Sequence, residues 1–299
     1  MPELTGYLAP EGFVAELQTE LAGVRFETHG RLLLAEAPEA PAAWAANVWR
    51  DPQRISISSI GDAAKKLRAI QRNWALYSFD HHRRAALIAA ELPKVSAKPL
   101  AFGTSAPNAP LGSWTLLQKD LLLAAPHCSS PFPNGEVAFV EDRKAPPSRA
   151  YLKLWELLTL IEQRPKPSEL CLDLGASPGG WSWVLAGLGA RVLSVDKAPL
   201  DPRIAALPAI EYRKESAFAL DPRAVGRADW LFSDVVCYPR RLYTLVQRWL
   251  AAGTVRRFVC TIKFQGETDF ATARQFAAIP GSRLLHLHHN KHELTWVRL

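Results

Sequence analysis

The stretch from Leu170 to Lys197, LCLDLGASPGGWSWVLAGLGARVLSVDK, restricts this chain to very few folds. Leu170 to Leu174 is a short apolar run, the pattern of a strand buried on both faces. Gly175-Ala176-Ser177-Pro178-Gly179-Gly180 turns the chain sharply. Trp181 to Leu188 is apolar enough for a packed helix, and Gly187 and Gly189 are placed to end it. Arg191 to Asp196 reads as a second strand closing on a carboxylate. Strand, glycine turn, helix and strand form a βαβ unit, which predicts an α/β fold on a doubly wound, mostly parallel sheet. The glycines let backbone approach a ligand closely, and amides at a helix N-terminus favour an anion. Asp196, at a strand end, has the chemistry to accept hydrogen bonds from a ribose diol. The bland alternative is a plain βαβ unit with a tight turn.

The glycine spacing departs from the dinucleotide fingerprint G-x-G-x-x-G, which argues against a dinucleotide oxidoreductase. DLGASPGGW instead resembles motif I of the class I S-adenosylmethionine methyltransferases, a Rossmann-like family. Its Pro-Gly-Gly-Trp ending is similar to the FtsJ-type RNA ribose 2′-O-methyltransferases. The resemblance implies that the cofactor is S-adenosylmethionine. It places Gly175, Ser177, Pro178, Gly179, Gly180 and Trp181 around the methionine end and Asp196 on the ribose.

The resemblance extends over roughly residues 130 to 299. Ser130-Pro131-Phe132 and Ala145 to Leu154 look like the segment that leads into the catalytic domain in the RlmM branch of that family. It implies that Ser148 lies near the cofactor and that Lys153 opens a Lys-Asp-Lys-Glu tetrad. Asp234 follows at the end of DWLFSDVV, Lys263 at the end of RRFVCTIKF, and Glu293 opens the last strand. The four come from separate elements, and the resemblance brings them to one rim, where Asp234 also borders the cofactor. Ser216, after a third strand at Ile210 to Arg213, stands where the family often carries an acidic residue beside the adenine; Glu215 is the alternative.

A ribose hydroxyl is a poor nucleophile at neutral pH, so the enzyme must align it with the methyl donor and take its proton. The resemblance assigns Lys263 as proton acceptor. Lys153 would depress the Lys263 pKa and bind the target phosphate or hydroxyl, because a neighbouring ammonium favours a neutral amine. Asp234 would orient Lys263, and Glu293 would hold the lysine pair.

Composition bears on partners. The net charge of +7 suits a polyanion such as RNA. Residues 1 to 50 are acidic, with Glu3, Glu11, Glu16, Glu20, Glu27, Glu36 and Glu39 against Arg25, Arg31 and Arg50. From Lys65 the sign reverses, through Lys66, Arg68, Arg72, Arg83, Arg84, Lys94 and Lys98, with Trp74, His81 and His82 among them. Such a segment can grip phosphates and stack a base, or form a solvated helix face. No apolar run is long enough to span a membrane, and the opening MPELTGYLAPEGF lacks a basic segment followed by an apolar one, so a cytoplasmic protein is expected. Cys128, Cys171, Cys237 and Cys260 are scattered without a C-x-x-C pair and read as thiols, three of them buried in apolar runs. His286, His288, His289 and His292 would have to share one short hairpin to hold zinc, so they read as strand and turn residues, and no metal is expected.

With 48 % hydrophobic residues in 299, two domains of ordinary size are expected. The first, residues 1–110, is a small α/β domain for RNA binding or substrate recognition, closing in a linker from Ala97 to Pro110. Pro10-Glu11-Gly12-Phe13 followed by Glu16 resembles the start of the THUMP RNA-binding modules of the RlmM branch; a packing or dimerisation domain is the alternative. Helices are predicted at Glu11 to Leu21, Asp62 to Gln71 and Asp80 to Leu92, the last capped by Asp80. Strands are predicted at Arg31 to Ala35, Trp114 to Leu117, Leu121 to Ala125 and Gly135 to Glu141. The second domain, residues 111–299, carries the methyltransferase fold. It contains a helix capped by Ser148, helices at Arg240 to Leu250 and Thr268 to Ala278, and a closing strand pair, Arg283 to Leu287 with Glu293 to Leu299. The function expected from the resemblance is 2′-O-ribose methylation of RNA, with 23S ribosomal RNA as the first substrate. The alternatives are transfer RNA, a messenger cap, or a non-catalytic RNA-binding or ribosome-assembly factor.

Overall fold

The computed structural model describes residues 3–96 and 98–299. The chain forms two units, Met1–Phe139 and Val140–Leu299. The division lies well past the expected boundary at residue 110. Strands at Gly112–Gln118 and Leu121–Ala125, assigned by sequence to the second domain, hydrogen-bond with strands of the first unit. Ala97, where the expected linker begins, lies outside the described residues.

The first unit holds β1 (Thr5–Leu8), α1 (Val14–Glu20), β2 (Phe26–His29), β3 (Leu32–Ala35), β4 (Asn47–Arg50), β5 (Gln53–Ser56), α2 (Ile60–Ile70), β6 (Trp74–Leu76), α3 (His82–Ala90), β7 (Gly112–Gln118), β8 (Leu121–Ala125) and β9 (His127–Cys128). One sheet runs β2-β3-β1-β4-β9 and a second β5-β8-β7-β6. Leu67 of α2 and Ala85 and Ile88 of α3 pack with Trp114, Leu116 and Leu122 of the second sheet. Ser59, rather than a residue deeper in the charged run, caps α2 by accepting from the Asp62 amide. Asp80 does not cap α3, whose N-cap is His81 in the left-handed region at φ 49°. The strand expected at Gly135 to Glu141 is absent: Pro133–Gly135 form a 3-10 turn, and Phe139 makes only an isolated bridge to Leu100.

The second unit holds α4 (Tyr151–Leu160), β10 (Leu170–Leu174), α5 (Gly180–Gly187), β11 (Arg191–Asp196), α6 (Pro202–Ala205), β12 (Ile210–Lys214), α7 (Pro222–Val225), β13 (Ala228–Ser233), α8 (Pro239–Ala252), β14 (Val255–Lys263), α9 (Phe270–Ala277), β15 (Ser282–Leu285) and β16 (Glu293–Arg298). Its sheet has the order β12-β11-β10-β13-β14-β16-β15. All neighbours are parallel except β16, which runs antiparallel to both β14 and β15. This is a doubly wound, mostly parallel sheet, the architecture that the βαβ unit predicts. The central strands bury both faces, which is why they read as unbroken apolar runs: Cys171, Leu172, Trp230, Leu231, Phe232, Phe258, Val259 and Cys260 are all inaccessible to solvent. The winding direction reverses between β10 and β13, and a crevice opens at the carboxyl ends of strands at such a reversal.

Candidate active site

Gly175 ends β10 at that reversal. Its φ is +82°, and a Cβ there would stand 2.6 Å from the Val235 Cβ, so conformation and the close approach of the chain after β13 both require glycine. The turn that follows and the ends of β10, β11, β13 and β14 enclose a cavity of about 430 Å³. Of the expected cofactor residues, Ser148, Gly175, Ser177, Pro178, Gly180, Trp181, Asp196 and Asp234 line it. Gly179 does not; at φ +112° it packs the turn against Ile204. Ser216 does not either, and its Oγ instead accepts from the Phe218 amide at 3.3 Å.

Asp196 ties the turn to β11. Its carboxylate accepts from the Ser177 amide at 3.0 Å and the Ala198 amide at 2.9 Å. A carboxylate has about four acceptor sites, so further hydrogen bonds remain open to it. Trp181 spends its indole N–H on the Ala150 carbonyl at 2.9 Å, pinning the segment before α4 to α5. Ser148 does not cap α4, whose first residue is Tyr151 and whose N-cap is Ala150. Its buried Oγ has no hydrogen-bond partner among the described residues and faces Gly180, where a Cβ would come within 2.7 Å of it.

Sequence reasoning missed Asp173, Ala150, Ala176, Ala198, Val235 and Val236 in the cavity wall. The signal for Asp173 was present: it is the charged residue in an otherwise apolar strand. One carboxylate oxygen accepts from Ser182 Oγ at 2.6 Å, and the other, Oδ1, is buried and unpartnered among the described residues. Burial pushes the Asp173 carboxyl up to about 7; the Ser182 hydrogen bond opposes this, and the nearby Asp234 and Asp196 charges add to it.

The tetrad assembles beside this cavity. Lys153 Nζ donates to Asp234 Oδ1 at 2.8 Å and to Glu293 Oε1 at 3.0 Å. Lys263 Nζ lies 3.2 Å from Asp234 Oδ1 and also donates to the Asp234 carbonyl. Asp234 therefore holds the lysine pair. Glu293, expected in that role, bonds Lys153 alone of the two. Burial would lower the Lys153 pKa, but Asp234 and Glu293 together outweigh it and hold the ammonium above its ordinary value. Lys153 is thus fixed as a cation, and Lys263 is the amine that reaches the cavity wall.

Helix α4 explains how Glu293 reaches Lys153. Glu156, one turn beyond Lys153, accepts from the amides of His288 and His289 at 2.6 and 3.0 Å and lies 2.7 Å from His289 Nδ1. The same helix that supplies Lys153 thereby clamps the turn leading into β16. No group of His, Cys, Asp or Glu able to hold a metal occurs among the described residues, and no described helix is long and apolar enough to cross a membrane.

The model of the FtsJ-like methyltransferase family matches residues 146–253. Ribosomal RNA large subunit methyltransferase M of Halorhodospira halophila is 36 % identical over 157 residues, 50 % of this chain and 46 % of that protein, so this match spans about half its length. The protein of the same name from Alkalilimnicola ehrlichii is 32 % identical over 285 residues, 89 % of this chain and 71 % of the relative. Among solved structures, magnesium protoporphyrin IX methyltransferase from Synechocystis is similar with a TM-score of 0.34 at 16 % identity, over 44 % of this chain and 71 % of that one.

Proposed function

Because the chain belongs to the FtsJ-like family, in the branch of ribosomal RNA large subunit methyltransferase M, we propose that it transfers a methyl group from S-adenosylmethionine to a ribose 2′-oxygen of RNA. One observation carries this reading: the glycine turn and the Asp234–Lys263 end of the charged cluster share a single cavity. The cavity wall holds the carboxylates of Asp196 and Asp234, the buried carboxyl of Asp173 and the amine of Lys263. That set suits a ligand carrying positive charge and a diol. Asp196 has acceptor capacity for ribose hydroxyls, while Ser148 Oγ and Asp173 Oδ1 are unspent polar atoms for the amino-acid end. When bound, S-adenosylmethionine supplies an electrophilic methyl group.

Lys263 accepts the hydroxyl proton, because it is the tetrad amine at the cavity wall. Asp234 orients it from 3.2 Å. Lys153 stays charged and stabilises the carboxylates on either side. Proton acceptance of this kind contributes about a hundred- to ten-thousand-fold, and alignment of the hydroxyl with the methyl group supplies the rest.

The relatives' name supports large-subunit ribosomal RNA as the substrate, which makes the cytoplasm the working compartment. The first unit contributes RNA contacts through α2 and α3. Lys65 and Arg68 of α2, Arg72 just after it and Arg83 of α3 are exposed, and Arg68 donates to the Glu91 carbonyl at 2.7 Å, joining the two helices. The test is methyl transfer from labelled S-adenosylmethionine to total RNA from cells lacking this protein. Label in large ribosomal RNA at an alkali-resistant linkage, abolished by Lys263→Ala, supports the reading. Cofactor binding without label in any RNA overturns it.

A further inference from the structure

The chain after Asp234 alternates between buried and exposed side chains. Val236 is 72 % exposed, Cys237 7 %, and Tyr238 66 %. Pro239 is buried again and Arg240 exposed. The backbone here is fixed. Tyr238 is the N-cap of α8 at φ −63° and ψ 144°, and its carbonyl accepts from the amides of Arg241 and Leu242 at 3.0 and 3.3 Å. Two apolar side chains are thus held in water by an anchored loop. A single exposed apolar residue is ordinary, but Val236 also lines the cavity with Asp234 and Lys263.

Charge complements this surface. Between Val235 and Gly266 there is no Asp or Glu, and Arg240, Arg241 and Lys263 are the cations at the carboxyl ends of the strands. Arg241 lies over the Phe218 ring, 4.0 Å from its centroid. Arg240, next to Tyr238, is exposed. An exposed aromatic ring, an apolar shoulder and a cation beside the cavity wall match the chemistry of an unstacked nucleobase and its phosphate.

We propose that Tyr238 is a base-stacking residue: its ring takes a base of single-stranded RNA at or next to the target nucleotide, Val236 supports that base, and Arg240 neutralises the neighbouring phosphate. This rests on the RNA methylation reading and narrows its substrate class. A base inside a duplex has no free face to offer, so the target must be a loop, bulge or strand end. Tyr238 makes no side-chain cap to α8, so the helix does not depend on its ring.

The test uses the full chain and a single-stranded RNA oligonucleotide carrying 2-aminopurine, whose fluorescence falls when the base stacks. The wild type binds and quenches it. Tyr238→Ala weakens binding about five- to hundred-fold and loses the quench, as expected for one stacked base. Tyr238→Phe keeps both, and all three proteins keep the same affinity for S-adenosylmethionine. The proposal is overturned if Tyr238→Ala binds and quenches like the wild type, if the wild type does not quench, or if the same sequence as a duplex quenches equally. The broader reading fails separately, when the wild type transfers no labelled methyl group to any RNA, whatever the quench shows.

Discussion

Two groups of buried polar atoms meet at the carboxyl ends of the same strands, and the fold treats them in opposite ways. In the tetrad, Lys153 bonds Asp234 and Glu293, and Lys263 lies 3.2 Å from the Asp234 carboxylate: two cations against two anions, each with an opposite charge in reach. In the cavity wall, Ser148 Oγ and Asp173 Oδ1 are buried with no partner among the described residues. Folding normally satisfies such atoms, because leaving one bare costs about 1–3 kcal/mol. The contrast separates two kinds of site. The tetrad is assembled before any ligand arrives, as charges that must be pre-organised for catalysis are. The unpaired atoms are a stability cost that a ligand's hydrogen bonds would offset.

The largest effect is expected at Lys153. Lys153→Met leaves Asp234 and Glu293 facing each other in a buried site with Lys263 as the remaining tetrad cation. Removing one partner of a buried ion pair costs about 3–5 kcal/mol. A fall in denaturant midpoint of that size is expected, together with loss of methyl transfer. Adding Glu293→Gln recovers part of the stability by removing one stranded anion, and recovers no activity. If Lys153→Met folded with native stability, the cluster would not be the coupled unit that the distances describe.

A smaller effect, dependent on pH, comes from Asp173. In the unfolded chain its carboxyl loses its proton near the ordinary value of 3.8, whereas in the fold it keeps it to about 7. Over that window the folded state holds more protons, so raising the pH drains stability, by up to a few kcal/mol. His286 tilts the other way. Burial pushes its pKa down to about 4 from 6.5, the His288 and His292 charges adding to this against the hydrogen bond to the Lys291 carbonyl. The unfolded chain therefore takes up a proton first as pH falls, and stability rises with pH across that range. The two slopes oppose each other in the wild type. Asp173→Asn removes the first, so its melting temperature should climb from pH 4 to 6.5 more steeply than the wild type's. Parallel curves for the two proteins would show that Asp173 ionises normally.

Legibility in the sequence differed between the two units for physical reasons. Strands buried on both faces write continuous apolar runs, so β10, β11 and β14 were readable to within a residue or so. The first unit is built of strands such as β1 and β5, four residues each, too short to show a period. β2 has no buried residue at all. The paired half of the site was legible through family resemblance, since each tetrad member stands at the start or end of a recognisable element. What the resemblance did not convey was the wiring. Asp234 rather than Glu293 joins the lysines, although Glu293 is the cross-strand partner of Lys263, because the Glu293 carboxylate is turned to Lys153. The unpaired half was misread or missed. Ser148 looks like a helix cap after Pro146 and Pro147, but α4 starts at Tyr151 and the hydroxyl faces Gly180 instead.

Ser148→Ala gives the smallest change and discriminates most finely between the two kinds of site. A serine capping a helix loses about 0.5–2 kcal/mol when replaced by alanine. A buried hydroxyl without a partner behaves differently, because its removal deletes a desolvated polar atom and exposes nothing new. Ser148→Ala should therefore leave the melting temperature unchanged or slightly higher. Affinity for S-adenosylmethionine should fall by about two- to ten-fold, the worth of one ordinary hydrogen bond. Ser148→Thr keeps the hydroxyl but adds a methyl group beside Gly180, where even a bare Cβ would stand 2.7 Å from the present Oγ. It should lose affinity through crowding and also lose stability. A stabilised or neutral alanine variant that binds the cofactor more weakly identifies Ser148 as a ligand contact. A destabilised alanine variant with native affinity would return it to the role of a structural serine.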